Sequence, residues 1–341
     1  MSETFRPSTL GEILDRTAQI YRRNFWLFAG VAALPIGAIF ALTAIGGALF
    51  GAATAAFRAT SLASPAAIIV AVLVVLIAAP VYIAAAVFSS AGLTEAAAST
   101  SRGEKITIRG AFKKVTLRFW NYLWFIIMQG IVVGLIPVAI AGVLIGVLVF
   151  LGTLAGAGTA TAVAVGFLVF IVVVAALAVI VWLVLGYSIS LPVCVLEKKS
   201  AWDSLQRGWI LGKGTRGRIF VMFLLVMALA LAVSMVAAIP SMIILFTSAA
   251  AGSPPATGSV AFIVAEVTRA VLDLVLQVAL APISAIALVL FYYDQRIRKE
   301  GFDIEWMMQQ AGLTQTPTNA LATGILETSA PVAPPDTVEE P

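Results

Sequence analysis

The chain has 341 residues, 61% of them hydrophobic and only 11% charged, with a mean hydropathy of +1.04. Soluble domains carry about 25% charged residues, so a water-soluble globule of this composition would lack the polar groups to cover its surface. A cytosolic enzyme, a disordered chain and a nucleic-acid-binding domain are excluded, and an all-α integral membrane protein is expected. The pI near 9.3 then reflects where the charges lie along the chain.

The first element in chain order is an amphipathic helix over residues 8–21, STLGEILDRTAQIY, with Leu10, Ile13, Leu14, Thr17 and Ile20 at helical spacing. Thr9 and Glu12 have the arrangement of a capping box that starts it. A charge-free stretch between Arg23 and Arg58 holds the first span, about 24–50, and the stretch between Arg58 and Glu95 holds the second, about 66–90. A second amphipathic segment follows at 107–120. It places Ile108, Phe112, Val115 and Phe119 on one face and Arg109, Lys113, Lys114 and Arg118 elsewhere.

The charge-free run from 119 to 196 is far too long for one span of about 20 residues. It breaks at GTLAGAGTAT, residues 152–161, giving spans three and four. A third amphipathic segment, 200–211, has Trp202, Leu205 and Trp209 on one face and a cap from Ser200 with Asp203. Span five lies between Arg218 and Glu266, ending before the turn AAAGSPPATGS. Span six, 274–293, would be about 30 Å long as a helix, one hydrocarbon core. Asp294, Arg296 and Arg298 continue it with pairing at four-residue spacing, and Gly301 supplies the stop. The FDIEWMM segment after it is a short anchor. The Thr-, Pro- and Ala-rich stretch 312–341 is expected to be a disordered tail.

Six spans place all 21 Lys and Arg except Arg58 and Arg269 on one side. The positive-inside rule makes that side cytoplasmic, with both termini there, in the inner membrane. Apolar stripes beside Lys and Arg, with aromatic residues at the boundary, mark the three amphipathic helices as interfacial. The organisation expected is three repeats of an interfacial helix plus two spans, at about 8–99, 107–196 and 200–300. Pro35, Pro80, Pro137, Pro192, Pro240 and Pro282 put one proline in each span, and ALPIG, LIPVA and AIPSM read as one motif copied.

Two segments carry a family resemblance. LGEILDRTAQIYRRNFWLF near the start and LFYYDQRIRKEGFDIEW near the end resemble the bacterial membrane domain of glycerophosphoryl diester phosphodiesterase. The resemblance implies a six-span, all-helical fold. In some relatives this domain is fused to a soluble phosphodiesterase barrel. A barrel would need a further 200–250 residues or so, and its catalytic histidines have no counterpart in a chain with no histidine. The resemblance therefore implies a membrane domain and does not bring the activity with it.

The chemistry available is correspondingly narrow. No histidine is present as general base or metal ligand. The single cysteine, Cys194, can form neither an intrachain disulfide nor a thiolate metal site. GWILGKGT around Lys213 resembles a phosphate loop, but Gly214 follows the lysine where Ser or Thr is needed. Gly47/Gly51, Gly142/Gly146 and Gly152/Gly156 have the spacing of close helix packing. No catalytic residue, cofactor or metal is expected.

The expected function is non-enzymatic: engagement of anionic membrane lipid, a protein partner or a second copy at the cytoplasmic leaflet, with no nucleic acid. The candidate contacts are Arg22, Arg23, Lys113, Lys114, Arg118, Lys213, Arg216, Arg218, Arg296, Arg298 and Lys299, each worth about 1 kcal/mol against an anionic leaflet. The alternative is a small-solute or lipid permease working through a cavity between proline-bent helices. Its candidate polar path is Glu266, Arg269, Asp273 and Gln277, at helical spacing near the outer end of span six. The absence of a charge at the centre of any span disfavours ion-coupled transport.

Overall fold

The computed structural model describes residues 8–60, 65–156, 158–250 and 260–301. It divides into one unit over Ser8–Gln295 and another made of Met1–Pro7 and Arg296–Pro341, of which 296–301 are described. The expected anchor and tail lie outside the described residues.

Among the described residues every regular element is helical, and six helical stretches are long and apolar enough to cross a membrane. They are Phe25–Gly47, Ala78–Ser101, Phe119–Ala155, Thr159–Leu196, Arg216–Val236 and Ile263–Glu300. The chain is a multi-pass membrane protein with the expected number of spans. Several helices outrun the sequence expectation. The second, α3, runs Pro65–Ser101, and the last, α12, runs Val260–Glu300 as one helix of 41 residues. Charged and polar residues beyond the apolar core continue those helices because nothing in them stops a helix before Gly103 and Gly301, which take φ of 78° and 64°.

The short helices are α1 (Leu10–Arg23), α4 (Ile108–Leu117) and α9 (Ala201–Gly212), each preceding a pair of spans in chain order. The capping box forms at α1: the Glu12 N–H donates to Thr9 Oγ1 and the Thr9 N–H to Glu12 Oε2. Thr107 and Ser200 cap α4 and α9 with their side-chain oxygens, which accept from the Gly110 and Asp203 N–H groups. Helix α4 ends at Leu117, three residues short of the expected segment, and Phe119 already belongs to span three, α5 (Phe119–Gly130).

All three lay their apolar faces on the ends of the spans. Ile13 and Thr17 of α1 are buried, as are Ala111 and Val115 of α4. Ile108 lies over Gly30 of α2 (Phe25–Thr60) and Phe112 over Gly92 of α3, where no Cβ intervenes. For α9 the buried face is rotated from the one expected. Ala201, Ser204, Leu205, Gly208, Leu211 and Gly212 are inside, whereas Trp202 is 55% exposed. The cause is small residues: a Cβ on Gly208 would lie 2.5 Å from Ser190 Cα, and one on Gly212 would lie 3.0 Å from the Gly186 carbonyl oxygen. The backbones of α9 and of the end of span four therefore approach as only glycine allows.

The prolines divide into two sets. Pro35, Pro80 and Pro282 sit inside continuous helices. The other three lie at breaks. A π-helical turn, Ile131–Leu135, precedes Pro137 at the start of α6 (Ile136–Ala155). Ser188 and Ile189 separate α7 (Thr159–Tyr187) from α8 (Ser190–Leu196), which holds Pro192. Ala238 separates α10 (Arg216–Ala237) from α11 (Ile239–Ala250), which opens on Ile239–Pro240. A π turn or an interrupted helix removes the clash a proline ring would make with the carbonyl four residues back.

Burial is concentrated at the end of the spans that carries α1, α4 and α9, here called the basic end. Phe28, Val31, Val87, Ala91, Phe125, Val193, Ile219, Ile286 and Phe291 form its packed interior. Toward the other end, side chains such as Phe150, Leu154, Phe167 and Phe170 are more than half exposed. In a bilayer such a surface is solvated by acyl chains.

Candidate functional site at the basic end

The most connected element is the stretch Tyr292–Tyr293–Asp294–Gln295 of α12, in which every residue is buried. Each side chain that makes a long-range bond addresses a different segment. Tyr292 Oη donates to Glu197 Oε1 at 3.0 Å, reaching the connection after span four. Tyr293 Oη accepts from Arg102 Nη1 at 3.2 Å, reaching the connection after span two. Asp294 accepts from the Ser8 backbone N–H at 2.8 Å and from Arg218 Nη1 at 3.1 Å, and the same guanidinium donates through Nη2 to the Ser8 carbonyl at 2.7 Å. Gln295 Nε2 adds a bond to Asp294 Oδ2 at 3.2 Å. A buried carboxylate without partners would be costly, and here the charge is met by a guanidinium and an amide together.

Asp294 therefore pairs across the bundle with Arg218, where the sequence reading had pairing along α12. The i,i+4 ion pair at the helix end is Arg296–Glu300, at 3.1 Å. Arg298 and Lys299 lie exposed in the last turn of α12.

A second cluster surrounds Glu197, which accepts ion pairs from Arg207 and, at 3.3 Å, from Lys199 besides the Tyr292 hydroxyl. Burial pushes its carboxyl up, but bonds from Arg207, Tyr292 and Lys199 outweigh this and hold it below the ordinary carboxylate range. Glu104 is also held low, by the Arg102 guanidinium at 2.7 Å. Burial of Tyr21, whose hydroxyl donates to the Ala279 carbonyl at 2.9 Å, pushes its phenol up.

The candidate cations separate into two groups. Lys114 is committed to Glu95 at 2.6 Å, and Arg118 donates to the Lys198 carbonyl at 2.7 Å. Arg216 lies over the rings of Trp182 and Trp209, 4.7 and 4.1 Å from their centroids, and Arg218 is held by Asp294 and Ser8. These side chains join helices to one another. By contrast, Arg22, Arg23 and Lys113 are exposed and make no ion pair with another described residue, and Lys105, Arg109 and Lys198 share that condition, while Lys213 lies exposed at the C-cap of α9. Glu95, Glu104, Glu197 and Asp294 are meanwhile occupied by internal partners, so positive charge is left uncompensated on the surface.

The polar stripe of α12 lies apart from these groups. Glu266, Arg269 and Gln277 are exposed and Asp273 is half-buried, with Arg269 3.9 Å from Asp273. Counting back from Asp294, Asp273 is about 31 Å away along the helix, at the opposite edge of a core about 30 Å thick.

An apolar groove of about 820 Å³ opens between α3 and α5. One wall is Val72, Leu76, Ala79, Pro80, Ile83 and Ala84; the other is Phe119, Trp120, Leu123 and Ile127. The small side chains of Ala79 and Ala84 make the hollow that the larger α5 side chains face. Cys194 is buried beside Tyr122, Phe125 and Leu205, and Asn121 Nδ2 approaches its sulfur at 3.7 Å while bonding the Lys199 carbonyl at 2.9 Å. It is core. Among the described residues no group of His, Cys, Asp and Glu is arranged to hold a metal.

The sequence reading missed Tyr292, Tyr293 and Glu197 as contact residues, and Gly208 and Gly212 as packing residues. The four-residue spacing of the last two is legible in GWILG, the stretch whose likeness to a phosphate loop fails at Gly214. No sequence signal marked Glu197 as the partner of Tyr292, 95 positions away.

Residues 166–319 match the family model described as the membrane domain of glycerophosphoryl diester phosphodiesterase. The match begins within α7 and runs past the end of α12. It takes in LFYYDQRIRKEGFDIEW but not the N-terminal segment that also carried the resemblance. No curated protein and no solved structure matches the chain.

Proposed function

We propose that this chain is a non-enzymatic membrane protein whose basic end faces the cytoplasm and binds anionic phospholipid there. One observation carries the reading: the carboxylates Glu95, Glu104, Glu197 and Asp294 are neutralised within the protein, while Arg22, Arg23 and Lys113 stand exposed and unpaired. Such residues have no structural partner to lose and reach a headgroup phosphate without breaking the fold. Each contributes about 1 kcal/mol near an anionic leaflet, so three together give a retention of order a hundredfold over a zwitterionic lipid.

Two measurements test it. In native mass spectrometry of the protein in mixed phosphatidylglycerol and phosphatidylcholine nanodiscs, the intact chain should retain phosphatidylglycerol preferentially. Changing Arg22, Arg23 and Lys113 together to Gln should lower that preference at least tenfold with the melting temperature unchanged; an undiminished preference would sink the reading. For orientation, Lys105→Cys in a Cys194→Ser background should react with an impermeant maleimide only after the cytoplasmic face is opened. Labelling of intact cells would reverse the assignment.

A further inference from the structure

We infer that the groove between α3 and α5 seats one acyl chain of a phospholipid in the leaflet at the basic end. This rests on the lipid-binding reading and adds where the lipid is held. The lining, from Val72 to Ala84 on one side and Phe119 to Ile127 on the other, contains no charged residue. A water-soluble ligand would find no polar partner there, whereas a hydrocarbon chain needs none. The volume of about 820 Å³ lies within the range of about 300–1,000 Å³ that encloses a small molecule.

The α5 wall starts at the basic end, where Phe119 stacks on Phe88 of α3. From there Phe119 to Ile127 covers about 12 Å of helix at about 1.5 Å per residue, against about 15 Å for half of the hydrocarbon core, and the facing α3 wall, Val72 to Ala84, extends about 18 Å. At its mouth stands Trp120, 78% exposed, where an indole sits at headgroup level. Arg118, also exposed, directly precedes the first α5 lining residue, and the unpaired Lys113 lies in the preceding helix. An apolar slot with cations at its headgroup end is complementary to an anionic phospholipid. A packed transmembrane helix prefers small residues on both facing surfaces. Here one wall is Phe119, Trp120, Leu123 and Ile127, which suits a flexible chain.

The experiment uses the full-length protein in phosphatidylcholine nanodiscs doped with a phospholipid bearing a diazirine in its acyl chain, supplied as either the phosphatidylglycerol or the phosphatidylcholine form. After photolysis, adducts are mapped by peptide mass spectrometry. The expected result is several-fold enrichment on Leu76, Ile83, Leu123 and Ile127 over Phe150 and Phe170, which are also lipid-facing. Ala79→Phe, which fills the hollow, should lower groove adducts several-fold while Phe170 adducts persist. Because the wild-type map is read by itself, the inference stays testable if that variant folds poorly.

Equal labelling of groove and reference residues would overturn it. So would a groove free of adducts together with efficient disulfide-linked dimers of Leu123→Cys in the Cys194→Ser background, which would assign the face to a second copy. Groove enrichment that is stronger for the glycerol than the choline headgroup supports both the groove and the anionic-lipid reading. Equal enrichment for the two headgroups supports the groove and counts against the headgroup preference, so the two failures are distinguishable.

Discussion

Glu197 shows how one side chain at the basic end makes stability depend on pH. Its carboxyl is 10% exposed and tied to Arg207, Lys199 and Tyr292. Its folded-state pKa is depressed, so the unfolded chain binds the proton more readily. The stabilisation is therefore complete above the unfolded value, near pH 4.3, and is lost as pH falls through the lower folded value. Melting curves of wild type and Glu197→Gln in the same detergent should differ at pH 7 and converge toward pH 3. A constant gap would show that the ion pairs contribute nothing beyond packing. Residues also mark where sequence reasoning stopped. Arg22 and Arg218 are alike as sequence, each a basic residue beside a span, yet one is exposed and the other is locked to Asp294. The difference depends on a partner 76 positions away, which charge patterning within a segment cannot supply.

Among elements, the helix starts were legible because capping is local. Thr9, Thr107 and Ser200 each lie within three residues of the group they bond, and the Gly301 stop is equally local. The spans followed from apolar length. What periodicity could not fix was which face of α9 turns inward. It pointed to the Trp202 side because large apolar residues dominate a hydrophobic stripe. The actual contact is governed by absent side chains at Gly208 and Gly212. Gly208→Ala tests this: the new methyl meets backbone at Ser190, which cannot rotate away. A loss of about 1–3 kcal/mol is expected, the usual cost of overpacking, and thermal unfolding would register it. Gly142→Ala, where a Cβ meets nothing within 4 Å, should leave the melting temperature unchanged. Equal effects would remove the packing explanation.

For the molecule as a whole, composition and charge placement sufficed for a multi-pass membrane protein, because the bilayer imposes one length on every span. They did not show that the packing would be so uneven along the spans. None of the most apolar window of span four is buried, against half of that in span two. Hydrogen exchange in nanodiscs should reflect this, since local opening follows the density of buried contacts. Protection should be highest around residues 87–99 and 286–295, and lowest next to Gly156 and Gly158. A flat profile would mean that lipid, rather than protein packing, sets the resistance to opening throughout. The three successive short-helix and two-span groups were also read from sequence as copies of one ancestral unit. Each group has its own treatment of proline: two inside continuous helices in the first, two at breaks in the second, and one of each in the third.

The bonds made by Tyr292, Tyr293 and Asp294 also impose an order on biosynthesis. A ribosome delivers Ser8 first and these three residues last, so Ser8, Arg102, Glu197 and Arg218 each lack one of their native bonds during most of translation. Until span six is inserted, the positions that Asp294, Tyr292 and Tyr293 will take on them are held by water or lipid headgroups. The final helix thus acts as the closing stitch, drawing four earlier segments together in a single late event. A chain halted one turn short of Tyr292 would carry five whole spans and most of the sixth, lack every one of these bonds, and be recognisable to quality control as unfinished.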